Sequence, residues 1–88
     1  MEPKAKDIFL TKLIRNGFSI EEKEDLLTLR PRKMEDVAKV IIQEVGANTW
    51  QVLRAEGQYA GFGRGKKKVM FENYVNRWAA EAFAQSVP

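Results

Sequence analysis

Gly46 constrains the fold more than any other residue, because it separates two neighbouring segments whose apolar residues repeat at helical spacing. The segment before it carries a stripe typical of a helix packed on a core, formed by Met34, Val37, Ala38, Ile41 and Val45. After it, the side-chain oxygen of Asn48 or Thr49 can cap a second helix that Gly57 would end. The sequence therefore predicts a helix-turn-helix over residues 34–57. An ordinary bend between two packed helices is the alternative interpretation.

The first 33 residues predict a helical extension. A broad apolar helical face, made by Ile8, Phe9, Leu10, Leu13 and Ile14, predicts a first helix over residues 4–16 that stops at Gly17. The Ser-x-x-Glu capping box that begins at Ser19 predicts a second, short helix before Pro31. The basic stretch RPRK at 30–33 is expected to connect this extension to the next helix.

Glycine dominates the stretch after the predicted helix pair. The segment GFGRGKKK at 61–68 suits a hairpin tip with positive φ angles, so the sequence predicts a basic β-hairpin, or wing, over residues 58–71. A second apolar stripe predicts a C-terminal helix over residues 72–85. Its members are Phe71, Tyr74, Val75, Trp78 and Ala82.

A chain of 88 residues has room for one hydrophobic core, so residues 1–88 are expected to form a single domain. The predicted fold class is mainly α with a small β-hairpin, specifically a winged helix-turn-helix with an extra N-terminal helix. Its parts are the N-terminal helical extension (1–33), the helix-turn-helix (34–57), the wing (58–71) and the C-terminal helix (72–85).

The composition argues against catalysis. The chain contains no histidine and no cysteine, so the commonest general base and the common transition-metal ligands are absent. The acidic clusters EEKED and MED read as solvated helix surface and helix start. We expect no enzyme activity, no cofactor and no metal site. No apolar run is long enough to cross a bilayer and the N-terminus lacks a secretory layout, so a cytoplasmic protein without membrane contact is expected.

The basic excess lies in the C-terminal half. Residues 46–88 contain six basic and three acidic side chains, whereas residues 1–45 contain nine of each. Within this half, Arg64, Lys66, Lys67 and Lys68 follow one another without an intervening acid. Such a cluster is typical of a phosphate-contacting patch, although a solvated lysine-rich loop has the same composition.

The run VGANTWQVLRAEGQYAGFGRGKKKVMFENYVNRWAAEAF, residues 45–83, resembles the winged-helix domains of phage terminase small subunits and phage excisionases, which are relatives of the MerR-type fold. In those families a glycine-turn helix pair precedes a basic wing, a short strand and a helix with a valine three residues before a tryptophan. Here the strand would be KVMF, and the helix signature would be Val75 with Trp78. Departures from the family pattern are Ile42, Glu72 and an outward-facing Trp50.

This resemblance implies a sequence-recognising double-stranded DNA-binding protein of a phage or mobile element: a transcriptional regulator, an excisionase-like factor or a packaging-recognition subunit. The second helix would place Asn48, Thr49, Gln51 and Arg54 at base edges in the major groove. The wing would place Arg64, Lys66, Lys67 and Lys68 on phosphates. A homodimer on paired half-sites is expected with this mode of binding.

Two other classes of function fit the residues. Trp50, Leu53, Tyr59 and Phe62 would form the aromatic-apolar patch of a small inhibitor or adaptor that binds a host protein. Tyr59 and Phe62 with the lysines would instead stack on unpaired bases of RNA.

Overall fold

The computed structural model describes residues 1–32, 39–56 and 65–88, with the side chains of residues 65–67 left outside the description. Two helices and four strands occur in these ranges. In chain order they are α1 (Pro3–Arg15), β1 (Phe18–Lys23), β2 (Leu26–Pro31), β3 (Lys39–Gly46), β4 (Thr49–Glu56) and α2 (Gly65–Ser86).

The strands form one antiparallel sheet in the order β1-β2-β3-β4, so each strand pairs with its neighbour in sequence. Both helices contribute to the same core as the inward residues of the sheet, which places α1 and α2 together on one face. The predicted fold class, mainly α with a winged helix-turn-helix, is therefore wrong: the described residues form a small α/β fold with two layers.

Alternating burial explains why residues 18–56 pair as strands where the structure describes them. Strands β2, β3 and β4 each bury two residues that are two positions apart, as the period of two in an extended chain requires, and β1 buries Phe18 at its start. Valine, isoleucine, tryptophan and phenylalanine supply many of the buried positions and suit a pleated, half-buried surface. The buried set from the sheet is Phe18, Leu27, Leu29, Val40, Ile42, Trp50 and Val52.

The helix predicted from the capping box at Ser19 is replaced by the β1–β2 hairpin. Glu24 and Asp25 form its two-residue turn, with Glu24 in the left-handed region at φ 57°. Leu27 and Leu29 face the core at strand spacing and pair with Glu22 and Ile20. The serine hydroxyl of the supposed cap donates instead to the Arg30 carbonyl, across the hairpin.

The two helices of the predicted helix-turn-helix are also wrong over the residues described. Lys39–Gly46 and Thr49–Glu56 are paired strands, joined through Ala47 and Asn48, and residues 33–38 lie outside the described part of the chain. The apolar stripe that predicts a helix contains Ile41 and Val45, but the buried residues of β3 are Val40 and Ile42, and Val45 is exposed. A run of adjacent apolar residues fits the helical period of 3.6 and the strand period of two equally well. In the structure this segment pairs with β2 and β4 and is therefore a strand.

The terminal helices follow the sequence prediction more closely. Helix α1 ends one residue before the predicted boundary, and Gly17 adopts the left-handed φ of 96° that its predicted role as a helix stop requires. The predicted C-terminal helix is present within α2, which begins at Gly65. The KVMF strand is therefore wrong, since Lys68–Phe71 is helical, and residues 57–64 of the predicted wing lie outside the described residues.

Helix α2 packs on both the sheet and α1. Its buried side is formed by Phe71, Val75, Ala79 and Ala82, which recur at helical spacing. The Phe71 ring meets the edge of Phe18 at a centroid distance of 5.6 Å. From α1, Phe9 stacks on Trp50 at a centroid distance of 5.2 Å, so side chains of α1, α2 and the sheet meet in one core. No described helix is long and apolar enough to cross a membrane.

Two side chains of α2 hold the edge strand β4. The Asn76 Oδ1 atom accepts the Trp50 backbone N–H at 2.6 Å, and its Nδ2 atom donates to the Trp50 carbonyl at 2.9 Å. One helical turn earlier, Glu72 Oε2 accepts the Val52 backbone N–H at 2.8 Å. The helical rise over four residues is about 6 Å and the strand rise over two is about 6.8 Å, so the two spacings match. This arrangement fixes which side of α2 faces solvent.

Candidate functional site

The residues predicted to read bases do not lie on a helix. Asn48 occupies the β3–β4 turn with a left-handed φ of 54°, and Thr49 begins β4 with its hydroxyl donating to the Ala47 carbonyl at 3.0 Å. Both residues therefore shape a turn. The helix cap predicted at Asn48 or Thr49 is also wrong, because β4 begins at Thr49.

Gln51 and Arg54 lie on the face of the sheet opposite the helices. Gln51 pairs across β3 with Gln43, and a one-residue bulge at Leu53 brings Arg54 opposite Ile41. The Arg54 side chain is 68% exposed and forms an ion pair with Glu56. Glu56 also lies 3.5 Å from Lys39, so the arginine is part of a small mixed-charge group rather than a basic patch.

Of the predicted phosphate-binding residues, Lys68 is described in full and lies half-buried in the first turns of α2. Lys66 and Lys67 belong to the same helix start, and their side chains are outside the described set. Arg64 falls in the segment that the structure leaves undescribed. The lysines are thus associated with a helix N-terminus and not, over these residues, with the strand of a wing.

Trp50 belongs to the core. It is 4% exposed, stacked on Phe9 and covered by α2, so it does not face a partner. This excludes it from both the exposed face of a recognition helix and the aromatic patch of the proposed adaptor. Leu53 remains exposed at 43%, whereas Tyr59 and Phe62 lie outside the described residues.

A groove on the outward side of α2 brings together residues that can bind a ligand. It is lined by Met70, Asn73, Tyr74 and Arg77 and has a volume of about 320 Å³. The spacing places Met70, Tyr74 and Arg77 along one helical face, with Asn73 beside them. We call this surface the α2 groove. It combines an apolar side chain, an aromatic ring, an amide and a guanidinium.

The ring at the centre of the α2 groove is held by its neighbours. The Arg77 guanidinium carbon lies 4.9 Å from the Tyr74 ring centroid, within range of a cation–π contact. The Trp78 ring also stacks on the Tyr74 ring, at a centroid distance of 6.1 Å and an interplanar angle of 25°. Trp78 in turn packs against the core. The Tyr74 ring is therefore partly exposed, and Trp78 connects it to the hydrophobic core.

The acidic side chains of the C-terminal half are engaged away from the groove. Glu56 pairs with Arg54 and Lys39, Glu72 accepts the Val52 N–H, and Glu81 pairs with Lys12 at 3.4 Å. These are the three acids of residues 46–88. Among the described residues that line the groove, Arg77 is charged and none is acidic, which gives this side of α2 a basic character.

Sequence reasoning missed the α2 groove. The apolar stripe that predicts the C-terminal helix includes Tyr74, whose side chain is 42% exposed in the structure. Met70, Asn73 and Arg77 carry no motif of their own. The available signal was the complement of the stripe: a basic residue, an amide and a thioether at helical spacing beside a tyrosine.

The α2 groove offers side chains that can recognise a ligand. Across residues 1–32, 39–56 and 65–88, no three carboxylates gather in a way that could hold a metal ion. The groove supplies hydrogen-bond donors from Asn73 and Arg77 and the partly exposed side chain of Tyr74. No protein-family model, curated protein or solved structure matches this chain.

Proposed function

We propose that the protein binds nucleic acid through the α2 groove and the basic start of α2. The observation that supports this proposal is the distribution of charge around the helix. Glu72 and Glu81 are held by β4 and α1, whereas Arg77 faces outward beside Asn73. An anionic polymer would meet the Arg77 guanidinium and the Asn73 amide on this surface, and no carboxylate is among the described residues that line it.

The proposal keeps the nucleic-acid partner that the sequence predicts and moves the contact surface. Binding through a helix in positions 49–56 is ruled out, because these residues form β4. Arg77 would neutralise a phosphate and release counterions, while the Asn73 amide can donate to and accept from a base edge. The setting in a phage or mobile element, the homodimer and the cytoplasmic location stay predictions.

Fluorescence anisotropy with labelled oligonucleotides tests the proposal. The probes are duplex DNA, single-stranded DNA and single-stranded RNA of one mixed sequence, each titrated at several salt concentrations. We expect binding to at least one probe to weaken as salt rises, with a log–log slope of about one for each phosphate contacted. Arg77→Ala should weaken that binding by about 1–3 kcal/mol.

Two further arginine variants locate the surface. Arg15→Ala removes an exposed arginine of α1 and serves as the matched control, so its affinity should equal that of the unaltered protein. Arg54→Ala tests the open face of the sheet, which carried the base contacts predicted from the sequence. If Arg54→Ala lost affinity and Arg77→Ala did not, the α2 surface would be refuted as the binding site. If the affinity did not change with salt concentration, nucleic acid would be refuted as the ligand.

A further inference from the structure

A second cavity lies beside the β1–β2 turn and shares no lining residue with the α2 groove. Its volume is about 200 Å³, and Leu27 and Trp50 contribute apolar surface to its wall. We call it the acidic cavity, because four carboxylates line it: those of Glu22, Glu24, Asp25 and Glu44. We infer that the acidic cavity binds a small primary amine that carries a neutral oxygen acceptor, as amino alcohols do. This inference is independent of the proposed function.

The Trp50 side chain supplies the observation that points to a ligand. Trp50 is closed to a macromolecular partner, yet it lines this cavity. Its indole Nε1–H can only donate, and it is buried without a hydrogen-bond acceptor among the described residues. Asn76 already binds both backbone groups of Trp50, so the indole N–H is the polar group that Trp50 has left to offer. A buried donor without an acceptor is destabilising, and a ligand oxygen at this position would satisfy it.

Two of the four carboxylates are paired with cations. Glu22 forms an ion pair with Lys6, and Glu44 accepts two hydrogen bonds from the amino group of Met1, at 2.6 and 2.7 Å. Four carboxylates and these two cations leave the lining of the cavity with a net formal charge of −2. Such a surface attracts a cation and repels an anion, which disfavours ligands whose oxygen acceptor is a carboxylate.

The other two carboxylates are available to a ligand. Glu24 and Asp25 form the β1–β2 turn. The Glu24 carboxylate has no ion pair or hydrogen bond with another described residue, whereas Asp25 accepts from the Gln43 amide through Oδ2 at 2.9 Å. Among the described residues, these acids form no group that could hold a metal ion. An ammonium group, which donates three hydrogen bonds, suits the two carboxylates of the turn.

The size of the acidic cavity limits the ligand. At ~30 Å³ for each water molecule, its volume of about 200 Å³ is equivalent to roughly six or seven waters, which is small for a ligand pocket. An amino alcohol with a branched hydrocarbon chain, such as leucinol, matches each part of the lining. Its ammonium group would pair with Glu24 and Asp25. Its hydroxyl oxygen would accept from Trp50 Nε1–H, and its hydrocarbon would contact Leu27.

Nuclear magnetic resonance of the ¹⁵N-labelled protein tests the inference directly, because the two tryptophans give separate indole N–H signals. Leucinol should move the Trp50 signal downfield until it saturates, since the indole proton gains an acceptor. Trp78 is not among the residues that line the cavity, so its signal is the internal control and should stay in place. Isoamylamine lacks the oxygen and leucine adds a carboxylate, so both should bind at least about tenfold more weakly than leucinol. A Trp50 signal that leucinol does not move would overturn the inference and leave the N–H to an ordered water.

Four folded variants, titrated with leucinol by isothermal titration calorimetry, assign the contacts. Glu24→Gln and Asp25→Asn should each weaken binding about threefold to tenfold. Glu21→Gln is the matched control, because this exposed acid lies on the face of β1 turned away from the helices, and it should leave the affinity unchanged. Trp50→Phe keeps an aromatic ring beside Phe9 and removes the donor, so leucinol and isoamylamine should then bind equally. An equal loss in Glu21→Gln would overturn the carboxylate contacts, and a preference for leucinol that survives Trp50→Phe would overturn the indole contact.

Discussion

Asn73 and Asn76 show how position on one helix separates stability from recognition. Asn76 faces β4 and satisfies two backbone groups of Trp50, whereas Asn73 faces solvent in the α2 groove. A partly buried N–H or carbonyl that loses its partner is costly, because water does not fully replace the bond. The same side-chain type thus has two different consequences when it is removed.

We predict that Asn76→Ala lowers the free energy of unfolding by about 1–3 kcal/mol. Asn73→Ala, the matched control, should change it by less than about 0.5 kcal/mol. Urea denaturation followed by tryptophan fluorescence measures both, with similar slopes expected for the two variants. Equal losses in both variants would show that the hydrogen bonds to Trp50 contribute nothing beyond helix propensity.

Trp50 shows why single residues were hard to assign from the sequence. A lone tryptophan reads equally as core or as binding patch until its neighbours are known, and those neighbours come from distant segments: Phe9 in α1 and Asn76 in α2. For Tyr74 the error is the reverse: the apolar stripe places it on the inward side of α2, whereas the structure leaves it exposed. It lies beside the buried Val75 in the helix, and only the packing of α2 reveals that it points outward.

At the scale of elements, the helices were predictable and the strands were not. In α1 the apolar residues alone define one face, and Gly17 marks the end, so local sequence suffices. In β3 the apolar run Val40–Ile42 fits a helix or a strand, and only pairing with β2 and β4 distinguishes them. Strand pairing joins residues far apart in sequence, which a local period cannot show.

The two hairpin turns offer a prediction about elements. Both contain a non-glycine residue in the left-handed region: Glu24 at φ 57° in the β1–β2 turn and Asn48 at φ 54° in the β3–β4 turn. Asparagine tolerates this conformation better than glutamate or alanine, because its short side chain hydrogen-bonds locally. Asn48 is thus well suited to its left-handed conformation in the β3–β4 turn, whereas Glu24 is poorly suited to the same conformation in the β1–β2 turn.

Asn48→Ala should therefore lower the free energy of unfolding by about 1 kcal/mol, whereas Glu24→Asn should raise it by about 0.5 kcal/mol. Thermal denaturation by circular dichroism measures both, and each variant is the control for the other. Shifts of the same sign would mean that the left-handed backbone does not determine the stability of these turns.

For the whole molecule, α2 links the hydrophobic core to the candidate site. Its inward side supplies Phe71 and Val75 to the core, and Glu72 and Asn76 fix its rotation against β4. That rotation turns the α2 groove to solvent.

The edge strands of the sheet are protected in two ways. Edge strands with free backbone groups can pair with other chains, and the Glu72 and Asn76 side chains occupy such groups on β4. The other edge strand, β1, carries exposed charges at Glu21, Glu22 and Lys23 instead.

This coupling predicts a pattern of amide hydrogen exchange. The N–H groups of Trp50 and Val52 point away from β3 toward α2, and they should exchange slowly although they lie on an edge strand. In the double variant Glu72→Ala with Asn76→Ala these two amides should exchange at least about tenfold faster, because local opening of the β4 edge no longer breaks hydrogen bonds worth roughly 1 kcal/mol each. Amides in the middle of α1 should change much less.

The control double variant, Asn73→Ala with Arg77→Ala, alters only the outward side of α2 and should keep the original rates in β4. Uniform acceleration throughout the molecule would instead mean that Glu72 and Asn76 support global stability and do not act as a local clamp on the edge strand.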